Sequence, residues 1–268
     1  MAVLVRLFRL PLALGLVALG LSPALAVFGG SVVGNSDSLA RSLAAILYQD
    51  GTGAHLCTAV PLAPKLLLTA AHCTAGDRRL IKVIFGTDLT AITDDRIRAV
   101  AAIARAGTTA ASKGMYAYQN PDDLALVLLD SAAPTGTGFA TLADTLPAAT
   151  TIRVAGYGAT SDLRKPDLSG HHQLGFDKVL RTATVPLLST GPALLVADQS
   201  RGAGICTGDS GGPAFLPDGK DLTLAGIMIG VASPRANNDY CRGKAYFAAI
   251  ARWKPWILSA AAAFKQKL

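Results

Sequence analysis

Gly208-Asp209-Ser210-Gly211-Gly212-Pro213 and, far upstream, Leu68-Thr69-Ala70-Ala71-His72-Cys73 are the two stretches that decide how this chain folds. The first sets a serine on a glycine-flanked turn, where its hydroxyl and its backbone N–H can both face a bound molecule. The second ends an apolar strand on a histidine. Serine is a weak nucleophile near neutral pH unless an adjacent base takes its proton. Between the two, Asp122-Asp123-Leu124-Ala125-Leu126-Val127 opens another apolar strand with carboxylates. A carboxylate behind an imidazole holds one tautomer and stabilises the positive form. The expected catalytic trio is His72, Asp123 and Ser210, in that chain order.

The order excludes the rival arrangements. Gly208-x-Ser210-x-Gly212 also fits the serine elbow of α/β-hydrolases, but that fold needs its histidine after its serine. All four histidines, His55, His72, His171 and His172, precede Ser210. A subtilisin order would need Asp37 or Asp50 as the acid, and neither sits in a strand-to-helix pattern. The chain from about Val27 to its C-terminal helix resembles the chymotrypsin-like serine proteases. That resemblance implies an all-β fold of two six-stranded antiparallel β-barrels with a C-terminal α-helix. The barrels are expected at about residues 27–135 and 136–250, the helix at about 252–264. His72 and Asp123 would come from the first barrel and Ser210 from the second, meeting in the cleft. The backbone N–H groups of Gly208 and Ser210 would form the oxyanion hole.

The pattern of the chain agrees with an all-β reading. Short apolar runs at Leu43–Tyr48, Lys65–Thr69, Leu80–Phe85, Leu124–Leu129, Thr151–Ala155 and Leu222–Val231 are separated by turn residues. Asn120-Pro121, Ala133-Pro134 and Leu216-Pro217-Asp218-Gly219 are turn signals with backbone reasons. Gly156-Tyr157-Gly158 resembles the family's Gly-Trp-Gly entry to the second barrel. The alanine-rich stretch Trp253–Phe264 ends in Lys265 and Lys267, cations that suit a helix C-terminus.

Arg6 and Arg9 precede an apolar run, Leu10 to Leu21, that closes on Ala24-Leu25-Ala26. This reads as a secretory signal peptide over residues 1–26, removed from the mature chain. The run is short for a membrane span, so no stable anchor is expected after cleavage. Export to a periplasm or beyond the cell suits the four cysteines, because disulfides persist outside the cytosol. Four cysteines allow three pairings. The resemblance selects Cys57–Cys73 and Cys206–Cys241. Cleavage after Ala26 would expose Val27-Phe28-Gly29-Gly30, similar to the family's Ile-Val-Gly-Gly start. By that resemblance the new α-amino group of Val27 would pair with Asp209, so signal removal would also be activation.

Basic residues are scattered along a chain of net charge +7, which argues against nucleic acid as a partner. The cysteines lack paired zinc spacing, and no metal or organic cofactor is implied. The expected partners are protein or peptide substrates of a monomer. All eighteen acidic residues are aspartate.

Specificity is read only through the resemblance. The family's pocket floor falls at Gly204, so the carboxylate that selects Lys or Arg is missing. Ile205 beside it would narrow the pocket. Val231 stands where a glycine keeps the entrance open in trypsin and chymotrypsin, as in elastases, and favours a small or medium aliphatic residue. Lys244 is the rival: a cation near the back of the pocket resembles granzyme B and would select acidic residues. The absence of glutamate would spare such a protease from itself. Three positions depart from the family. Ile229 replaces a serine that steadies the aspartate, Gly230 replaces a groove aromatic, and Thr58 replaces a glycine and would crowd the leaving side. His55 matches a family histidine that contacts the Asp209 region. With the trio intact, an inert binding homologue is the alternative of another class.

Overall fold

The computed structural model describes residues 27–107, 120–166, 172–217, 222–232 and 241–268. After a short strand β1 (Ser31–Val32), six strands close a first barrel. They are β2 (Ala44–Asp50), β3 (Gly53–Ala63), β4 (Leu66–Thr69), β5 (Lys82–Phe85), β6 (Ile97–Arg105) and β7 (Ala125–Leu129), in the cyclic order β2-β3-β4-β7-β6-β5. The connection to the second barrel carries β8 (Thr141–Leu142). The second barrel is built from β9 (Thr151–Gly156), β12 (Arg181–Thr190), β13 (Leu194–Asp198), β14 (Pro213–Phe215), β15 (Thr223–Ala232) and β16 (Lys244–Ala249). Its closure is the pairing of β9 with both β12 and β14. A separate hairpin, β10 (Ser161–Pro166) with β11 (His172–Gly175), rises between β9 and β12, and α1 (Ile250–Ala263) ends the chain. The fold is two closed six-stranded antiparallel barrels and one C-terminal helix, as the sequence leads one to expect.

Some strands, β4 above all, are apolar along their whole length because each face has something to bury. In β4, Leu67 points into the first barrel with Ile46, Val83 and Val127, while Leu66 and Leu68 face a second apolar layer. That layer holds Leu124 and Leu126 from β7's edge, Phe215 from β14, and Ile227 and Ile229 from β15. Neighbouring residues of one strand thus serve different cores, one inside a barrel and one between barrels. Ile152, Val154, Ala214, Met228 and Phe247 fill the second barrel. Ile250, Ile257 and Ala261 of α1 join the shared layer and seal it.

Two boundaries differ from expectation. The N-terminal segment belongs physically to the second barrel: Ser31 pairs with Thr182, and Phe28 bridges Gly204. The helix starts at Ile250, before the expected residue 252, because β16 runs straight into it through Ala249 with no side-chain cap. Pro255 sits inside the helix instead of marking its first turn. Cys57–Cys73 and Cys206–Cys241 are both disulfides. The signal segment 1–26 and His171 lie outside the described residues; His172 opens β11.

Candidate active site

Strand pairing brings the first two members of the trio together. β4 and β7 are antiparallel neighbours with Thr69 opposite Ala125, so the end of one lies beside the start of the other. His72 follows β4 on the tight helical turn Ala71–Thr74, and Asp123 stands just before β7. The imidazole Nδ1 is 2.6 Å from Asp123 Oδ2, and the backbone N–H of His72 donates to Asp123 Oδ1 at 2.9 Å. Both carboxylate oxygens are therefore committed to one residue. The Asp123 side chain is 2% exposed and that of His72 24%, so the acid is sealed and the imidazole reaches solvent. Cys57, His72 and Cys73 bring ligand-type atoms within 4.8 Å, but the two sulfurs are spent in a disulfide.

Ser210 arrives from the second barrel on the turn before β14, and its side chain is half-buried. Its carbonyl accepts from Thr58 N–H at 2.8 Å and lies 3.5 Å from the sulfur of Cys73, the residue after His72. Gly208 and Gly211 have φ of +94° and +81°, a region that favours glycine. A Cβ on Gly211 would lie 2.0 Å from Thr69 Oγ1 of the first barrel, so the turn closes tightly on β4. Among the described residues the N–H groups of Gly208 and Ser210 meet no acceptor, and these are the two amides expected at the oxyanion.

Asp209 is buried, and among the described residues no cation pairs with it. Its Oδ1 accepts from Gly158 N–H at 2.7 Å and its Oδ2 from Cys206 N–H at 2.8 Å. Burial pushes its carboxyl up to about 7, against the opposing effect of those N–H groups. Val27 is fully buried in the second-barrel core beside Ile205, and its φ of 42° is an outlier for a β-branched residue.

The expected pocket residues divide. Gly204 and Ile205 are buried, and Val231, half-buried, lies opposite Ala245 on the β15–β16 ladder. Lys244, the rival pocket residue, lies at the surface. It is in register with Asp198 of β13, whose carboxyl is held low chiefly by the Ser200 hydroxyl and N–H, with Lys244 contributing. No buried, unpaired lysine waits there for an acidic group.

Two further readings change. His55 does not reach Asp209; its Nε2 is 2.9 Å from both Asp50 Oδ1 and Thr52 Oγ1, and its ring stacks on Tyr48 at 4.8 Å. It pins the β2–β3 turn. Thr58 does not crowd the leaving side but is fully buried between the barrels. Its hydroxyl donates to Gly208 carbonyl and accepts from Tyr157 N–H, each at 3.3 Å.

Three placements had no sequence signal. Besides Thr58's true place, Gln199 lies fully buried against Gly204 and Ile205. Phe176 stands over Gly208, its ring edge 3.1 Å from where a Cβ would be. Phe176 also walls an open groove of about 420 Å³ with Leu47, Leu56, Ile84, Leu89 and Lys178.

The trypsin family's profile matches residues 32–257. The chain belongs to the trypsin family. It is also 29% identical over 239 residues to human (Homo sapiens) granzyme M, a stretch covering 82% of this chain and 84% of that protein. Membership identifies a serine protease of the hydrolase class, whose substrates are proteins or peptides.

Proposed function

We propose that this trypsin-family chain is an exported, monomeric serine endopeptidase in which Ser210, His72 and Asp123 act as one unit. The observation that carries the reading is the double clasp of the sealed Asp123 by His72, beside a Ser210 turn closed onto the same strand end. With Nδ1 committed to Asp123, Nε2 is the imidazole nitrogen left to take the serine proton. Ser210 Oγ attacks the peptide carbonyl as His72 takes its proton, and the oxyanion forms against the N–H groups of Gly208 and Ser210. His72 then gives the proton to the leaving amine. Water repeats the cycle on the acyl-enzyme.

The neutral Gly204 and the half-buried Val231 support cleavage after a small or medium aliphatic residue. Lys244, being exposed, lends no support to an acid-selecting pocket. The groove walled by Phe176 suits apolar side chains on the leaving side of the cut.

Activation is proposed to coincide with signal removal at Ala26. Val27 is already buried while its φ is strained, and that torsion depends on the bond to the preceding residue. Cutting the bond frees the torsion and creates an ammonium for Asp209. Labelling with a phosphonate reagent tests the function: protein beginning at Val27 is expected to take one label, abolished in Ser210→Ala. A folded protein with the correct start that takes no label is an inert binding homologue.

A further inference from the structure

Gln199 follows β13 directly and is 1% exposed. Its amide nitrogen donates to the carbonyls of Ile205 at 2.7 Å and Cys241 at 3.0 Å, and its Oε1 accepts from Ile205 N–H at 3.0 Å. Both amide protons are used. The side chain therefore spans from Ile205 to Cys241, on the two chain segments that the Cys206–Cys241 disulfide joins. A Cβ placed on Gly204 would lie 2.5 Å from Gln199 Cβ and Oε1. Gly204 is outside the left-handed region, so space and not backbone freedom keeps it glycine. Gln199 is held by three hydrogen bonds and cannot swing away cheaply.

Resting on the endopeptidase reading above, we propose that Gln199, and not residue 204, is the floor of the pocket for the residue before the cut. The floor is raised, because an uncharged side chain fills the place from which residue 204 would otherwise project. It has no free proton for an acidic substrate group and no charge for a basic one. A small aliphatic side chain stops above it without loss, while a long one must displace a hydrogen-bonded amide. The same geometry accounts for the neutral pocket without assigning any role to Lys244.

The test uses protein beginning at Val27 in four forms: wild type, Gly204→Ala, Gln199→Ala and the double variant. Melting reads the packing without needing activity. Gly204→Ala alone is expected to lower Tm by about 5 °C, and to cost almost nothing on the Gln199→Ala background. Equal losses on both backgrounds overturn the contact. Peptides differing only in the residue before the cut (Ala, Val, Met, Phe, Asp or Lys) read the specificity. Gln199→Ala is expected to raise the Phe-to-Ala ratio of kcat/KM about tenfold or more, while Gln199→Met, which restores the bulk, keeps the wild-type ratio. If Gln199→Ala does not fold, Gln199→Asn retracts the amide by one methylene and carries the same expectation. An unchanged ratio in a cooperatively melting, phosphonate-labelled variant overturns the floor role. A wild type that takes no label removes the endopeptidase reading instead, and the melting cycle still decides the contact.

Discussion

Thr58 shows how much one hydroxyl can be asked to do. The turn that holds Ser210 hangs between barrels, and Thr58 reaches it from the first barrel by its backbone and its side chain together. The N–H to Ser210 carbonyl survives most substitutions; the hydroxyl to Gly208 carbonyl does not. Thr58→Val keeps the shape and removes that hydrogen bond, leaving a buried carbonyl short of a partner. We expect kcat to fall about tenfold with KM nearly unchanged, because the loosened amide matters only as the oxyanion develops. Thr58→Ser should restore most of the rate. A change in KM alone, or no rescue by serine, would mean that Thr58 is mere packing. The family resemblance misread this residue because a glycine position carries no hint of the bond its replacement makes.

Among the elements, β4 and β7 made the site legible. Each is a short apolar run with a functional residue just beyond one end, and antiparallel pairing lets such ends meet. The rule that strands neighbour one another then delivers His72 to Asp123 with no further information. Strands β6 and β12 were harder to see. Ala99, Ala101 and Ala104 weaken the signal in β6, and β12 carries Thr, Ser and Pro186 along an exposed stretch. The residues of the expected trio could be picked out by type and order, whereas the disulfide pairing came only from the family resemblance, since four cysteines leave three pairings open. Gln199 could not be picked out, since a polar residue in a loop looks the same whether it is solvated or locked beneath a pocket. Phe176 was hidden for a related reason: it follows the β10–β11 hairpin, and only folding sets it over Gly208. Its expected role separates two kinds of substrate. Phe176→Ala should lower kcat/KM about tenfold for peptides with an apolar residue after the cut, and leave anilides, which lack a leaving peptide, unaffected. Equal loss on both would make Phe176 a brace for Gly208 and not a wall of the groove.

At the scale of the whole molecule, the proposed activation would tie processing at the N-terminus to the chemistry of the Ser210 turn. The segment after Val27 pairs with the second barrel, and Asp209 on that barrel braces the turn bearing Ser210. While Val27 is still joined to a preceding residue, burial holds the Asp209 carboxyl at about 7, far above its value of 3.8 in an unfolded chain. The folded form then retains a proton that the unfolded form has lost. Stability must fall as pH rises from about 4 to 7, by at most about 4 kcal/mol, and level off above that range. A free Val27 ammonium beside the carboxylate would reverse the cause, bringing the pKa back down and removing the loss. Protein with one extra residue before Val27 should therefore melt up to about 10 °C lower at pH 7.5 than protein beginning at Val27, and the gap should close near pH 4. Background titration of the exposed aspartates is common to both forms and cancels in the difference. Activity should follow the same division, with the extended form nearly inert at pH 7.5 because an unpaired Asp209 leaves the Gly208 and Ser210 amides without a fixed aim. Coincident melting curves across the pH range would show that Asp209 has no use for the amine, and that release of the leader is not what switches the enzyme on.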